Sequence, residues 1–163
     1  MLFLNRFNGF GKSAGAVAAP VTADFWRINV TLNNEGAYTA VAITDIVFKD
    51  SGGTPISTAG GTAAASASAG ANTAAKAFDA ITTTNWASTT ALPQWIEMQF
   101  TGNVTPFSVD ITGNNSSPDQ AVNAIKDFDL QWSTDGISYT TAQSYSGETA
   151  WGLAETRNFV IQT

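Results

Sequence analysis

KAFDAITTTNWASTTALPQWIEMQF, residues 76–100, is the stretch whose reading decides the fold. In its last third Ile96, Met98 and Phe100 alternate with Trp95, Glu97 and Gln99. That period of 2 is a β-strand with one apolar face, and the apolar face belongs against a core. Pro93 stands just before the strand, where a missing N–H removes nothing from the ladder. Upstream, Asp79, Thr82 and Thr84 crowd oxygen donors between Phe78 and Trp86. Such a loop is either a polar turn bonded to itself or a site for a hard cation.

Outward from this stretch the same pattern repeats. Trp26, Ile28, Val30 and Leu32 alternate with Arg27, Asn29 and Thr31, and Asn33-Asn34-Glu35-Gly36 then turns the chain. Val41 to Phe48 reads as the next strand. Gly60 to Ala75 is low in complexity, yet a linker there would leave two halves too small to fold. Its Ala/Ser alternation from Ala63 to Ser68 is a tightly packed strand instead. Downstream, Phe107, Val109 and Ile111 form one face, and Phe128, Leu130 and Trp132 another. Between them lies a polar loop, Gly113 to Ala124, of a length more often seen in functional loops. Asp135-Gly136 marks a hairpin into Ser138 to Thr141, and the last strand turns Phe159 and Ile161 inward together with Arg157. Short strands at such intervals predict an all-β antiparallel sandwich or jelly roll. Its core is expected to hold Ile96, Met98, Phe100, Val109, Ile111, Phe128, Leu130 and Phe159.

Several motifs along these strands occur together in one known family. Ala77-Phe78-Asp79 is followed by Thr84-x-Trp86-x-Ser88 and then Pro93-Gln94-Trp95-Ile96-Glu97. Lys126-Asp127-Phe128-x-Leu130-Gln131 with Ser133-x-Asp135-Gly136 comes next, then Trp151 with Glu155-Thr156-Arg157-x-Phe159. In order and spacing this resembles the discoidin, or coagulation-factor C-type, domain from about Phe25 to Gln162. The resemblance implies a galactose-binding-like jelly roll, a buried Trp86 and glycan contacts from loops at one end of the sandwich. It also implies a structural Ca²⁺ held at Asp79 and Thr84, with Thr82 in the same loop. Two departures are Ala80, where the family usually has glycine, and the lack of the cysteine pair common in extracellular members.

Composition limits the chemistry. Seven Lys and Arg against 13 Asp and Glu give a net charge of −6 with no basic run, which argues against nucleic acid and anionic membrane. There is no His and no Cys, so thiolate chemistry, the usual zinc ligands and histidine-based triads are excluded, and no disulfide supports the fold. Asp127 and Asp129 share a strand face beside Lys126, which is an exposed face rather than two carboxylates opposed across a cleft. An enzyme is not expected. Charged residues make up only 12%, about half the usual share, so the surface is uncharged polar or covered by other chains.

Residues 1–23 read as an N-terminal arm and 24–163 as the jelly-roll domain. The arm lacks the apolar run of about 7–15 residues that a signal peptide needs, since Asn5 and Arg6 interrupt it after Leu4. No segment reaches the length of a membrane span. Leu2, Phe3, Leu4, Phe7 and Phe10 give the arm an apolar side, and Gly9 and Gly11 limit any helix to about two turns. Such an arm folds back on its own domain or anchors in a neighbouring subunit. Anchoring is the reading adopted.

Among the aromatics, Trp26, Trp95 and Trp132 sit on strand patterns and are expected in the core. Trp151 and Tyr38 lie in loops and are candidates to stack on a sugar, beside Asn114, Asn115 and Asp119 in the long polar loop. The expected protein is a structural and adhesive part of a virion, such as a phage tail, fibre-attachment or decoration subunit. It would bind other virion proteins through its arm, form homo-oligomers, contact cell-surface glycan and assemble in the host cytoplasm. The alternative is a carbohydrate-binding module of a secreted or cell-surface bacterial protein.

Overall fold

The computed structural model describes residues 20–34, 40–115 and 122–161. Among the described residues nine strands follow one another: β1 Ala23–Asn33, β2 Ala42–Lys49, β3 Thr62–Ala65, β4 Trp86–Ala87, β5 Gln94–Val104, β6 Ser108–Gly113, β7 Ile125–Ser133, β8 Thr140–Tyr145 and β9 Thr156–Val160. A single 3-10 turn, Ala74–Ala77, is the helical element among the described residues. The strands form two sheets, ordered β3-β5-β1-β7-β8 and β4-β2-β6-β9. Every pairing within the sheets is antiparallel. The protein is an all-β sandwich. No helix among the described residues is long and apolar enough to cross a membrane.

The alternation in the sequence sets what the sheets enclose. Trp26, Ile28 and Val30 from β1, Ile96, Met98 and Phe100 from β5 and Phe128 and Leu130 from β7 are all buried. They meet Ile46 and Phe48 from β2, Val109 and Ile111 from β6 and Phe159 from β9. The eight alternating strand residues expected in the core lie in this cluster, as does Trp26. Ring contacts run between the layers: Phe48 lies 6.3 Å from Trp26 and 5.8 Å from Phe100, and Phe128 lies 4.9 Å edge-on to Phe159. Trp86 is fully buried, and its Nε1 donates to the Ala67 carbonyl at 2.9 Å.

Three expectations change. Trp95 is outside the core: it shares the outer side of β5 with Glu97, and its ring sits 5.7 Å from the Arg27 guanidinium of neighbouring β1. Trp132 is only partly buried at the cluster's margin. The small-residue strand is shorter than Ala63 to Ser68, because after Ala65 the side chain of Ser66 turns to Gln94 (2.5 Å). The hairpin at Asp135-Gly136 forms, and the chain re-enters the sheet at Thr140. There the Asp135 carboxylate accepts the N–H groups of Ile137 and Ser138, both at 2.8 Å. Gly136 has φ +69°, and a Cβ on it would lie 2.9 Å from the Phe25 ring, so glycine is required twice over.

Candidate functional site

β1 ends, and β2 and β7 begin, at one end of the sandwich, where β6 also ends. The Asp79 turn reaches this end because Asn115 and Asn85 tie it to the residues that follow β6. The Asn115 Nδ2 donates to the Thr82 carbonyl at 2.7 Å, and the Asn85 Nδ2 to the Asn114 Oδ1 at 3.4 Å. The cation candidates and two of the glycan candidates, separate in sequence, therefore form one cluster.

Within the turn, Asp79 Oδ1 accepts the Ile81 N–H at 2.9 Å. The Thr84 hydroxyl lies 3.0 Å from both Asp79 carboxylate oxygens, 3.0 Å from the Ile81 carbonyl and 3.4 Å from the Lys76 carbonyl. One hydroxyl carries one proton, so it can serve only one of these four oxygens fully. A gathering of carboxylate, carbonyl and hydroxyl oxygens is a donor set that a hard cation accepts. Thr82 contributes differently from expectation: its carbonyl takes the Asn115 amide, so it braces the turn. Ala80 sits at φ +57°, the left-handed region that glycine reaches without strain. Among the described residues no three His, Cys, Asp or Glu gather as a metal-binding group.

Asn114 is 3% exposed, and its carbonyl accepts the Ala154 N–H at 3.1 Å. It is a strut rather than a surface contact. Trp151 is likewise corrected. It is 4% exposed, its Nε1 donates to the Ile125 carbonyl at 2.9 Å, and the Arg157 guanidinium lies 4.3 Å from its ring centre. That ring offers no open face to a sugar. Arg157 also donates to Glu155 (2.8 Å), Glu148 (3.1 Å) and the carbonyls of Thr149 and Ala150 (2.9 and 3.1 Å). The Arg157 bond, and after it the Gly152 N–H at 2.6 Å, hold the Glu155 carboxyl below its ordinary value. Tyr38, Asp119 and the arm residues Leu2, Phe3, Leu4, Phe7 and Phe10 lie outside the described residues.

The sequence reading missed a second polar cluster, on the outer face of the five-stranded sheet. Arg27 donates to the Gln131 Oε1 at 2.7 Å and lies 3.5 Å over the Tyr139 ring, while the Tyr139 hydroxyl donates to the Glu97 carboxylate. Alternation had placed Glu97 and Trp95 on the outer side, but their partners come from β1, β7 and the turn after it. Glu97 is 7% exposed, and burial raises its carboxyl above the ordinary value despite the opposing pull of Tyr139 and Arg27. Because the folded pKa is the higher one, Glu97 supports the fold fully below its unfolded pKa. That support is lost as pH rises through the raised value. In Glu97→Gln this loss is absent, so the variant should gain stability relative to the parent as pH rises above the ordinary glutamate value of about 4.3. Denaturant midpoints that run parallel above that value would show that Glu97 is not the titrating group.

No family model, curated protein or solved structure matches the chain. Its functional reading therefore comes from the residues themselves.

Proposed function

We propose that the protein is a non-enzymatic structural subunit of a virion, a phage tail, fibre-attachment or decoration component. On this reading a discoidin-like jelly roll serves assembly and host-surface glycan binding. What carries it is the contrast between the arm and the body. From Ala23 onward the chain supplies nine strands and a core spanning both sheets. The arm before it holds Leu2, Phe3, Leu4, Phe7 and Phe10, an apolar set that an isolated soluble domain rarely leaves in water. The carboxylates Asp127 and Asp129 are spent on the Gly147 N–H and the Ser144 hydroxyl, which supports a binding rather than a catalytic role. The protein would reside in the particle after assembly in the host cytoplasm. Phe3→Ser with Phe7→Ser should give a folded monomer that no longer joins its assembly, read by light scattering and by incorporation into the native particle. Loss of folding would place the arm in the core. Retained assembly would move the contacts to the sandwich and to the loop at 113–124.

The alternative, a carbohydrate-binding module of a secreted or cell-surface bacterial protein, draws on Asn115 and the Asp79 turn meeting at one loop end. Structural Ca²⁺ belongs to either reading. Asp79, Thr84 and the carbonyls of Lys76 and Ile81 would hold it. At Ca²⁺ about 100-fold above its dissociation constant, linkage amounts to about 2.7 kcal/mol, or roughly 5–10 °C in melting temperature for a chain of this size. Asp79→Ala should abolish that response. Coincident melting curves in Ca²⁺ and chelator would leave the loop as a self-bonded turn.

A further inference from the structure

β4 pairs with β2 only through Ala42 and Ile43, although β2 runs on to Lys49. From Asp45 to Val47 no described strand lies beside that edge. Beyond it the edge closes again: the Phe48 carbonyl accepts the Ile56 N–H at 2.8 Å, and Lys49 bridges to Pro55. Ile46 itself is only 2% exposed, so the gap offers apolar surface rather than free backbone groups. The gap is a groove of about 440 Å³, lined by Ile46 and Val47, by Pro55 and Ile56, and by Phe78 and Ala80. Its size falls within the usual range for ligand pockets, roughly 300–1,000 Å³. An apolar groove of this kind suits a partner segment with large apolar side chains.

The groove is also acidic at one end. Asp45 lines it, and the charges of Asp79 and Asp110 are near enough to act on Asp45. Lys49 pairs with Asp110 at 2.5 Å, whereas neither Asp45 nor Asp79 has an ion pair among the described residues. The complementary segment is in the chain itself. Met1 to Lys12 reads MLFLNRFNGFGK, with six large apolar side chains, two cations and no acid. All 13 acidic residues lie from Asp24 onward.

We propose that the groove on β2 is the receptor for residues Met1–Lys12 of a second copy of the chain. The apolar side chains enter the groove, and Arg6 or Lys12 meets Asp45. An arm of one copy seated in a groove of the next builds a two-fold dimer where the exchange is reciprocal and a ring or filament where it runs head to tail. This rests on the arm being an assembly anchor, and it names the surface on which the anchor lands.

The absence of cysteine makes the test clean. Full-length Phe3→Cys is mixed with full-length Ser57→Cys, an exposed position on the groove, and oxidised. The control is Phe3→Cys with Ser138→Cys, exposed in the turn before β8. Disulfide-linked heterodimer should form at least about tenfold faster with Ser57→Cys than with the control, the advantage expected of a docked over a random encounter. Equal rates overturn the groove assignment. If the arm variants Phe3→Ser and Phe7→Ser still block assembly in that case, the anchor reading survives without this groove. A chain carrying both Phe3→Cys and Ser57→Cys that links only within itself, while the mixed chains do not link, places the arm on its own domain and overturns both.

Discussion

Phe128→Ala should lower the free energy of unfolding by about 3–5 kcal/mol. The Phe128 side chain is 1% exposed in β7, where the sandwich is closed from both layers. Its ring stacks on Tyr145 of β8 at 5.2 Å and meets Phe159 of β9 edge-on at 4.9 Å, and Tyr145 and Phe159 touch each other at 4.9 Å. Removing the middle ring of three costs its transfer from water and leaves a cavity that two sheets cannot collapse to fill. A domain is stable by about 5–15 kcal/mol, so the loss is a large share of the total. Urea unfolding should show the midpoint falling with an unchanged slope. A loss below about 1 kcal/mol would mean that the ring is not packed between the sheets.

The faces of the strands were legible because side-chain direction along a strand is a local property. Ile96, Met98 and Phe100 could be assigned to the core from their spacing alone, and each is at most 4% exposed. Which strand lies beside which is not local. The order β3-β5-β1-β7-β8 brings Arg27 between Glu97 and Gln131, and no period in the sequence announces that neighbourhood. Trp95 was misassigned against the local signal: its alternation with Ile96 already points it outward, where Arg27 of β1 receives it. At the candidate site, the oxygen-rich turn at Asp79 was legible as a turn. Its link to Asn115 was not, since the two are joined only when β6 ends beside the turn. The groove on β2 depends on how far β4 extends, a length set by packing around Trp86 rather than by a sequence signal.

Trp151→Ala is expected to destabilise the protein by about 3–5 kcal/mol, and it separates two roles for a loop tryptophan. Between Ala150 and Gly152 the residue looks like a loop aromatic available to a sugar. In the fold it closes the sandwich between β6 and β9. A Cβ on Gly113 would come within 3.0 Å of its ring, so the sequence keeps that position empty for it. Phe159 lies 6.3 Å away, and Arg157 sits over the ring while bonding to Glu148 and Glu155. The alanine variant thus loses packed area, a stacking partner for a cation and the bond to the Ile125 carbonyl at once. Trp151→Phe keeps most of the packing and loses the indole N–H bond, while the Ile125 carbonyl keeps the Asn34 amide at 3.2 Å, so the polar loss is about 0.5–1.5 kcal/mol. The order of stability should be tryptophan, then phenylalanine, then alanine, measured by denaturant unfolding. A ring that served only to stack on glycan would give three equal stabilities and differ in binding alone.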